Sequence, residues 1–198
     1  MGYDTIIGVV FLFCVLPVLV VGGVTILYNA VMDMDKIEAI KGKLPFPLYK
    51  NSEFLFVFVN GERLDEYIAK HVSNDYRGLI PSWLDFYSTD YEPSQREKEF
   101  VWEQMRLDEK TKILPILLCP DDFDFSCTVV VVEVISEIDT VIWNRMGVDV
   151  SRFNPDKEGV FKYIGDTIEW FDDISPHVFS KSEYINCVDA FMQWNEEQ

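Results

Sequence analysis

Ser126–Ile135, SCTVVVVEVI, decides the fold. Val129–Val132 run consecutively and Val134 follows, so the segment is β-branched and nearly free of polar side chains. A strand with one face in water would alternate. This one does not, and reads as a central strand covered on both faces. Before it, Ile113–Cys119 (ILPILLC) is a second apolar strand. Pro115 within it requires an edge position or a bulge, because proline donates no ladder hydrogen bond. The connection Cys119–Phe125 (CPDDFDF) is a turn. After the valine strand, Thr140–Met146 (TVIWNRM) is the expected antiparallel neighbour. A tight hairpin over Ser136–Asp139 joins the two, and Gly147 stops the second.

Further out, Asp166–Phe171 (DTIEWF) alternates and reads as another strand. Phe54–Asn60 (FLFVFVN) reads as a buried strand ending at the turn signal Asn60-Gly61. Leu64–Val72 carries apolar residues at helical spacing. Asp75–Pro93, with Trp83, Phe86, Tyr87 and Tyr91, is an irregular segment expected to cover the sheet. Ser94–Asp108 is expected to be a surface helix, with Ser94 and Glu97 as a capping box. A final helix opens with the capping box Ser180/Glu183 and presents Tyr184, Ile185, Val188, Phe191 and Met192 on one apolar face. The order β-α-α-β-β-β-β-α, with short connections, defines an α+β domain: an antiparallel sheet with flanking helices.

A second stretch bears on location. Thr5–Tyr28 contains no charged residue over 24 positions, enough for a helix to cross ~30 Å of hydrocarbon at ~1.5 Å per residue. It lacks the basic start and short apolar core of a signal peptide. Pro17 would kink the helix, and Gly22 and Gly23 lack the GxxxG spacing of a dimer interface. Lys36, Lys41, Lys43 and Lys50 all follow the span, which favours a domain on the cytoplasmic side of the inner (cytoplasmic) membrane. The chain therefore divides into a transmembrane anchor (1–31), a juxtamembrane linker (32–50) and an acidic α+β domain (51–198). The linker is expected to continue the helix to about Lys41, until Gly42, Pro45 and Pro47 end it.

Formal net charge is −17, and only Asp4 of the acids precedes the span. A field of that sign repels nucleic acid and anionic headgroups and attracts basic partners. It serves solubility, and it equally suits capture of a cationic protein. With Cys14 in the span, Cys119, Cys127 and Cys187 remain, an odd number read as small buried hydrophobes rather than a disulfide framework, although Cys119 and Cys127 bracket an eight-step loop and would be placed to pair if the domain faced an oxidising space. His71 and His177 lie far apart, and no spacing suggests zinc. Asp121, Asp122 and Asp124 concentrate carboxylates in one turn, but without EF-hand spacing they read as solvated. Glu133 has no lysine beside it in sequence to support a nuclease centre. No nucleophile elbow, phosphate loop or metalloprotease motif occurs, so neither a catalytic residue, a metal nor a cofactor is expected.

What remains is recognition by contact. Asp121, Asp122, Asp124, Asp172 and Asp173 are the candidate contact carboxylates, with Trp83, Trp102 and Trp170 as aromatic anchors. The stretch Ile113–Val134 (ILPILLCPDDFDFSCTVVVVEV), followed by Thr140–Gly147 (TVIWNRMG), resembles bacterial immunity proteins of polymorphic or contact-dependent toxin systems over roughly a third of the chain. The resemblance implies a protein that neutralises a cognate toxin by binding it, with no catalytic residues to carry over. The membrane helix departs from the commoner soluble members and directs attention to a membrane or envelope target. Two rivals stand beside it: a membrane-anchored hydrolase with a dispersed site, and a structural subunit of a membrane complex docked through its helix.

Overall fold

The structure, a computed structural model, describes residues 34–43, 53–85, 92–106, 109–121, 124–151 and 164–197, with the backbone alone of 92–94, Val20–Val21 and Val24–Thr25. The membrane helix expected over 5–28 lies outside the described residues, apart from an antiparallel pairing of Val20–Val21 with Val24–Thr25. Among the described residues no helix is long and apolar enough to cross a membrane.

Residues 34–197 fold as α+β with antiparallel sheets. Strands β1 (Ile37–Lys43), β2 (Glu53–Val59) and β3 (Glu62–Arg63) form one sheet, followed by helix α1 (Leu64–His71). Then come β4 (Ile80–Pro81), helix α2 (Glu92–Arg106), β5 (Thr111–Leu118), β6 (Val129–Ser136), β7 (Thr140–Asp149), β8 (Ile168–Trp170), β9 (His177–Ser180) and helix α3 (Lys181–Glu196). The larger sheet has the order β8-β7-β6-β5-β4, and β9 shares the outer edge of β7 with β8.

The valine strand β6 is central, as its composition demands: Val129–Val132 are each no more than 2 % exposed. Its hairpin to β7 closes with the Glu137 N–H donating to the Thr140 carbonyl. Pro115 is accommodated by a bulge. Register shifts between Pro115 and Leu117, and the Pro115 carbonyl, released from the ladder, accepts from Ser82 Oγ (2.8 Å) and Trp83 Nε1 (3.0 Å). Trp83 is fully buried, edge-on to Trp143 and Phe191, and its own carbonyl accepts from Asn195 of α3. Trp83 thus packs onto the sheet as expected of its segment, whereas Phe86, Tyr87 and Tyr91 lie outside the described residues.

Five expectations need correction. The linker does not continue as helix: Ile37–Lys43 is a strand paired over seven rungs with β2, because tertiary pairing outweighs the helical propensity of its Lys, Glu and Ala residues. Helix α2 begins at Glu92 rather than after Ser94, with Pro93 in its first turn, where a missing N–H costs little. Nor is it a bare surface helix, since Glu97, Val101 and Trp102 are buried. Helix α3 keeps its Ser180 cap, with the Glu183 N–H donating to Ser180 Oγ. It nevertheless turns Tyr184, Cys187, Phe191 and Trp194 inward and leaves Ile185 and Met192 exposed. Finally, Gly147 does not end its strand. β7 runs on to Asp149, and a Cβ at Gly147 would sit 2.5 Å from the Glu169 carbonyl and 2.7 Å from Ile168 Cγ2. Glycine is there so that β8 can approach.

Replacing Gly147 by alanine must push β8 away and is expected to destabilise the domain by about 1–3 kcal/mol. Urea denaturation of the variant checks this, and an unchanged midpoint would contradict the close approach.

Candidate functional site

The candidate contact residues divide into three groups. Trp83 and Trp102 are core residues, at 0 % and 8 % exposure, and cannot act as surface anchors without unfolding what they hold. This corrects the sequence expectation. A hydrophobic aromatic in a polar segment signals burial as readily as it signals contact.

The second group lies at the edge of the large sheet. β8 and β9 pair with opposite ends of β7, at Gly147–Asp149 and Thr140–Trp143, and the connection between them carries Asp172 and Asp173, both exposed. Beside this connection, Trp170 is half-buried beneath the Arg145 guanidinium, whose carbon is 4.1 Å from the ring centroid. Arg145 is held in turn by Glu133, with Nη2 to Oε1 at 2.8 Å and Nε to Oε2 at 3.1 Å. Asn144 Nδ2 also donates to this carboxylate. The Arg145 hydrogen bonds, with that from Asn144, hold the Glu133 carboxyl below its ordinary range against a smaller opposing effect of burial. A fixed row, Glu133–Arg145–Trp170, therefore crosses three strands next to an exposed acidic connection. Sequence spacing did not reveal it, because a β-bulge between Glu133 and Val134 sets which residue of β7 faces Glu133.

The third group is the turn between β5 and β6. Asp121 is exposed. Asp124 is half-buried and accepts from the Ser126 N–H (2.8 Å) and Oγ (2.5 Å); Asp122 lies outside the described residues. Phe125 is buried edge-on to Phe100 of α2. Its backbone N–H donates to Glu97, which is only 4 % exposed and has an unpartnered Oε2. Burial, only partly offset by the Phe125 N–H and reinforced by nearby Asp124, pushes the Glu97 carboxyl up to about 8. The acidic turn thus sits on a carboxylic acid that is neutral at neutral pH. Strand geometry puts this turn on the order of 20 Å from Asp172, two to three strands across and several residues along. The two acidic groups do not form one cluster. They do fit within a standard contact patch of ~800 Å² per partner, which is about 30 Å across.

One further titratable pair was not anticipated. The Asp35 carboxylate accepts from Asn60 Nδ2 (2.6 Å) and the Val178 N–H (2.8 Å), and lies 3.3 Å from His177 Nδ1. Burial raises its pKa, but these three donors outweigh it and hold the carboxyl below its usual value. His177 is buried against Phe179 and Tyr67, its Nε2 closed off from solvent. The pair ties β9 to the start of β1. Two shallow hollows of about 300 and 310 Å³ between β1 and α3 are lined by residues of both charge signs, including Lys36, Glu38 and Glu183 in one and Lys41 and Glu197 in the other. Among the described residues no group of three His, Cys, Asp or Glu side chains converges as a metal-binding set.

No family model, no curated protein and no solved structure matches the chain.

Protonated Glu97 makes stability pH-dependent. In the unfolded chain it titrates near 4.5 and in the folded domain near 8. Between those values the folded state holds a proton that the unfolded state has lost. Stability should therefore fall as pH rises from about 4.5 to about 8, and level off outside that window. Comparing urea midpoints at several pH values across the window checks this. Glu97→Gln, which is neutral throughout, should flatten that part of the profile.

Proposed function

We propose that this protein binds and neutralises a cognate basic toxin by direct contact, held at the cytoplasmic membrane by residues 5–28 with its acidic domain in the cytoplasm. The observation that carries the reading is the exposed Asp172–Asp173 connection beside the Arg145-stacked Trp170, in a chain of net charge −17. Exposed carboxylates steer a cationic partner during encounter, and a rigid aromatic contributes contact area with little further loss of entropy. Asp121 and Asp124 offer a second contact on the turn between β5 and β6. The partner is a protein rather than nucleic acid, which this charge repels. The resemblance of residues 113–134 and 140–147 to immunity proteins points the same way.

The test is capture from lysate of the source cell and its relatives, using the full chain in detergent, at low and at moderate salt. Recovery of one basic protein, weakened by salt and neutralised by the bound chain, is the expected result. Loss of that capture on removal of residues 1–31, with no basic protein retained, would favour a helix-docked membrane subunit instead. With the partner in hand, Asp172→Lys with Asp173→Lys should slow association by about tenfold or more at low salt. Trp170→Ala should cost about 2 kcal/mol, mostly through faster dissociation. Stopped-flow association and dissociation rates check both.

A further inference from the structure

We infer that Asn60 is a deamidation site, and that losing its amide opens the joint at which the smaller sheet meets the larger one. Asn60 and Gly61 form the two-residue turn between β2 and β3, with φ of +52° and +81°, and both are exposed. Positive φ at both positions is the type I′ geometry that selects Asn-Gly. The Asn60 side chain is fully engaged there. Its Oδ1 accepts from the Lys36 N–H at 2.8 Å, and its Nδ2 donates to Asp35 Oδ1 at 2.6 Å. Its backbone N–H donates to the Lys36 carbonyl at 2.9 Å. Asp35 carries the contact on to the larger sheet: its N–H donates to the Val178 carbonyl and its Oδ2 accepts from the Val178 N–H, both at 2.8 Å. One amide thus connects the β2–β3 turn, through Asp35, to β9.

Glycine has no Cβ to shield its nitrogen, so Asn-Gly is the bond at which an asparagine most readily cyclises. The Gly61 nitrogen loses its proton and attacks Asn60 Cγ. The new C–N bond forms, the Cγ–Nδ2 bond breaks, and Nδ2 leaves as ammonia, giving a succinimide. Water then opens the ring at Cγ, leaving aspartate, or at the Asn60 carbonyl carbon, leaving isoaspartate. One water enters and one ammonia departs, with no oxidant or reductant. In the folded domain Asn60 must give up its bonds to Lys36 and Asp35 before Cγ can turn onto the Gly61 nitrogen, so the closed joint protects the amide. Once it has reacted, the bond to Asp35 cannot re-form. A carboxylate in place of the amide has no N–H to donate. It also meets a carboxyl held below its usual value, and therefore ionised, so like charges replace a 2.6 Å hydrogen bond. Isoaspartate further lengthens the main chain within the turn.

The full chain in detergent, kept reduced, is aged at mildly alkaline pH with and without unfolding urea. Asn60 is followed by peptide mapping that separates aspartate from isoaspartate. The reductant keeps exposed Cys127 out of the mass change; the sequence expectation of buried cysteines holds for Cys187 but not for Cys127. Deamidation at Asn60 should be about tenfold or more slower in the native chain than in urea, since it proceeds only through the opened joint. Asp35→Ala should speed the native reaction and leave the rate in urea unchanged. Asn60→Asp, which reproduces one product, should exchange its Asp35 and Val178 amide hydrogens faster than wild type while the amides of β6 stay protected. Equal Asn60 rates with and without urea, or an Asn60→Asp chain whose Asp35 and Val178 exchange matches wild type, would each overturn the inference.

Discussion

A strand that buries four consecutive valines has no face left for water, and the rest of the domain follows from that. β6 must be covered on both sides and flanked on both edges. β5 and β7 supply the edges. On one side the cover is Trp83, Trp143, Phe179 and Phe191, meeting edge-to-face. Such ring pairs contribute about 0.5–1.5 kcal/mol each beyond the area they bury. Trp83 is held in that cluster by the carbonyl that Pro115 releases. A residue unable to donate to the ladder thus creates the acceptor that anchors a core tryptophan. Polar satisfaction and packing are joined at one atom.

Where composition alone fixes an element, the sequence could be read directly. The central strand, the Pro115 irregularity, the hairpin after Ser136 and the Ser180 cap all follow from residues within a few positions of one another. What could not be read depends on partners distant in the chain. IEAIKGK becomes β1 only because FLFVFVN lies across from it. HVFS becomes β9 only because the edge of β7 is open beside it and Asp35 satisfies the Val178 N–H. Gly147 looked like a terminator because its reason for being glycine sits on another strand, twenty or so residues later.

The same distinction runs through the candidate contact surface. Charge was legible: Asp121, Asp172 and Asp173 are exposed where a run of acids between apolar segments would place them. The tryptophans were not, because one-dimensional reading cannot separate an aromatic that closes a core from one that meets a partner. Trp83 and Trp102 do the former, and of the three candidate tryptophans Trp170 alone retains a surface face, ordered by Arg145. Glu97 was taken for a capping residue and is instead a buried acid under the turn, a role set by Phe125, nearly thirty residues away.

The edges of the two sheets carry a last consequence, for life in a crowded cell. An open strand edge is a template on which another chain can pair, and proteins that leave long flat edges uncovered tend to fibrillise. Here the outer edge of β7 is shared between two short strands, with acids in the gap, and the opposite edge is the two-residue β4, which ends in Pro81. The longer edge, β1, is studded with Glu38, Lys41 and Lys43. Each border is broken, prolyl or charged. A domain whose centre is a run of valines, among the more aggregation-prone of sequences once unfolded, is thereby kept from growing sideways while it is folded.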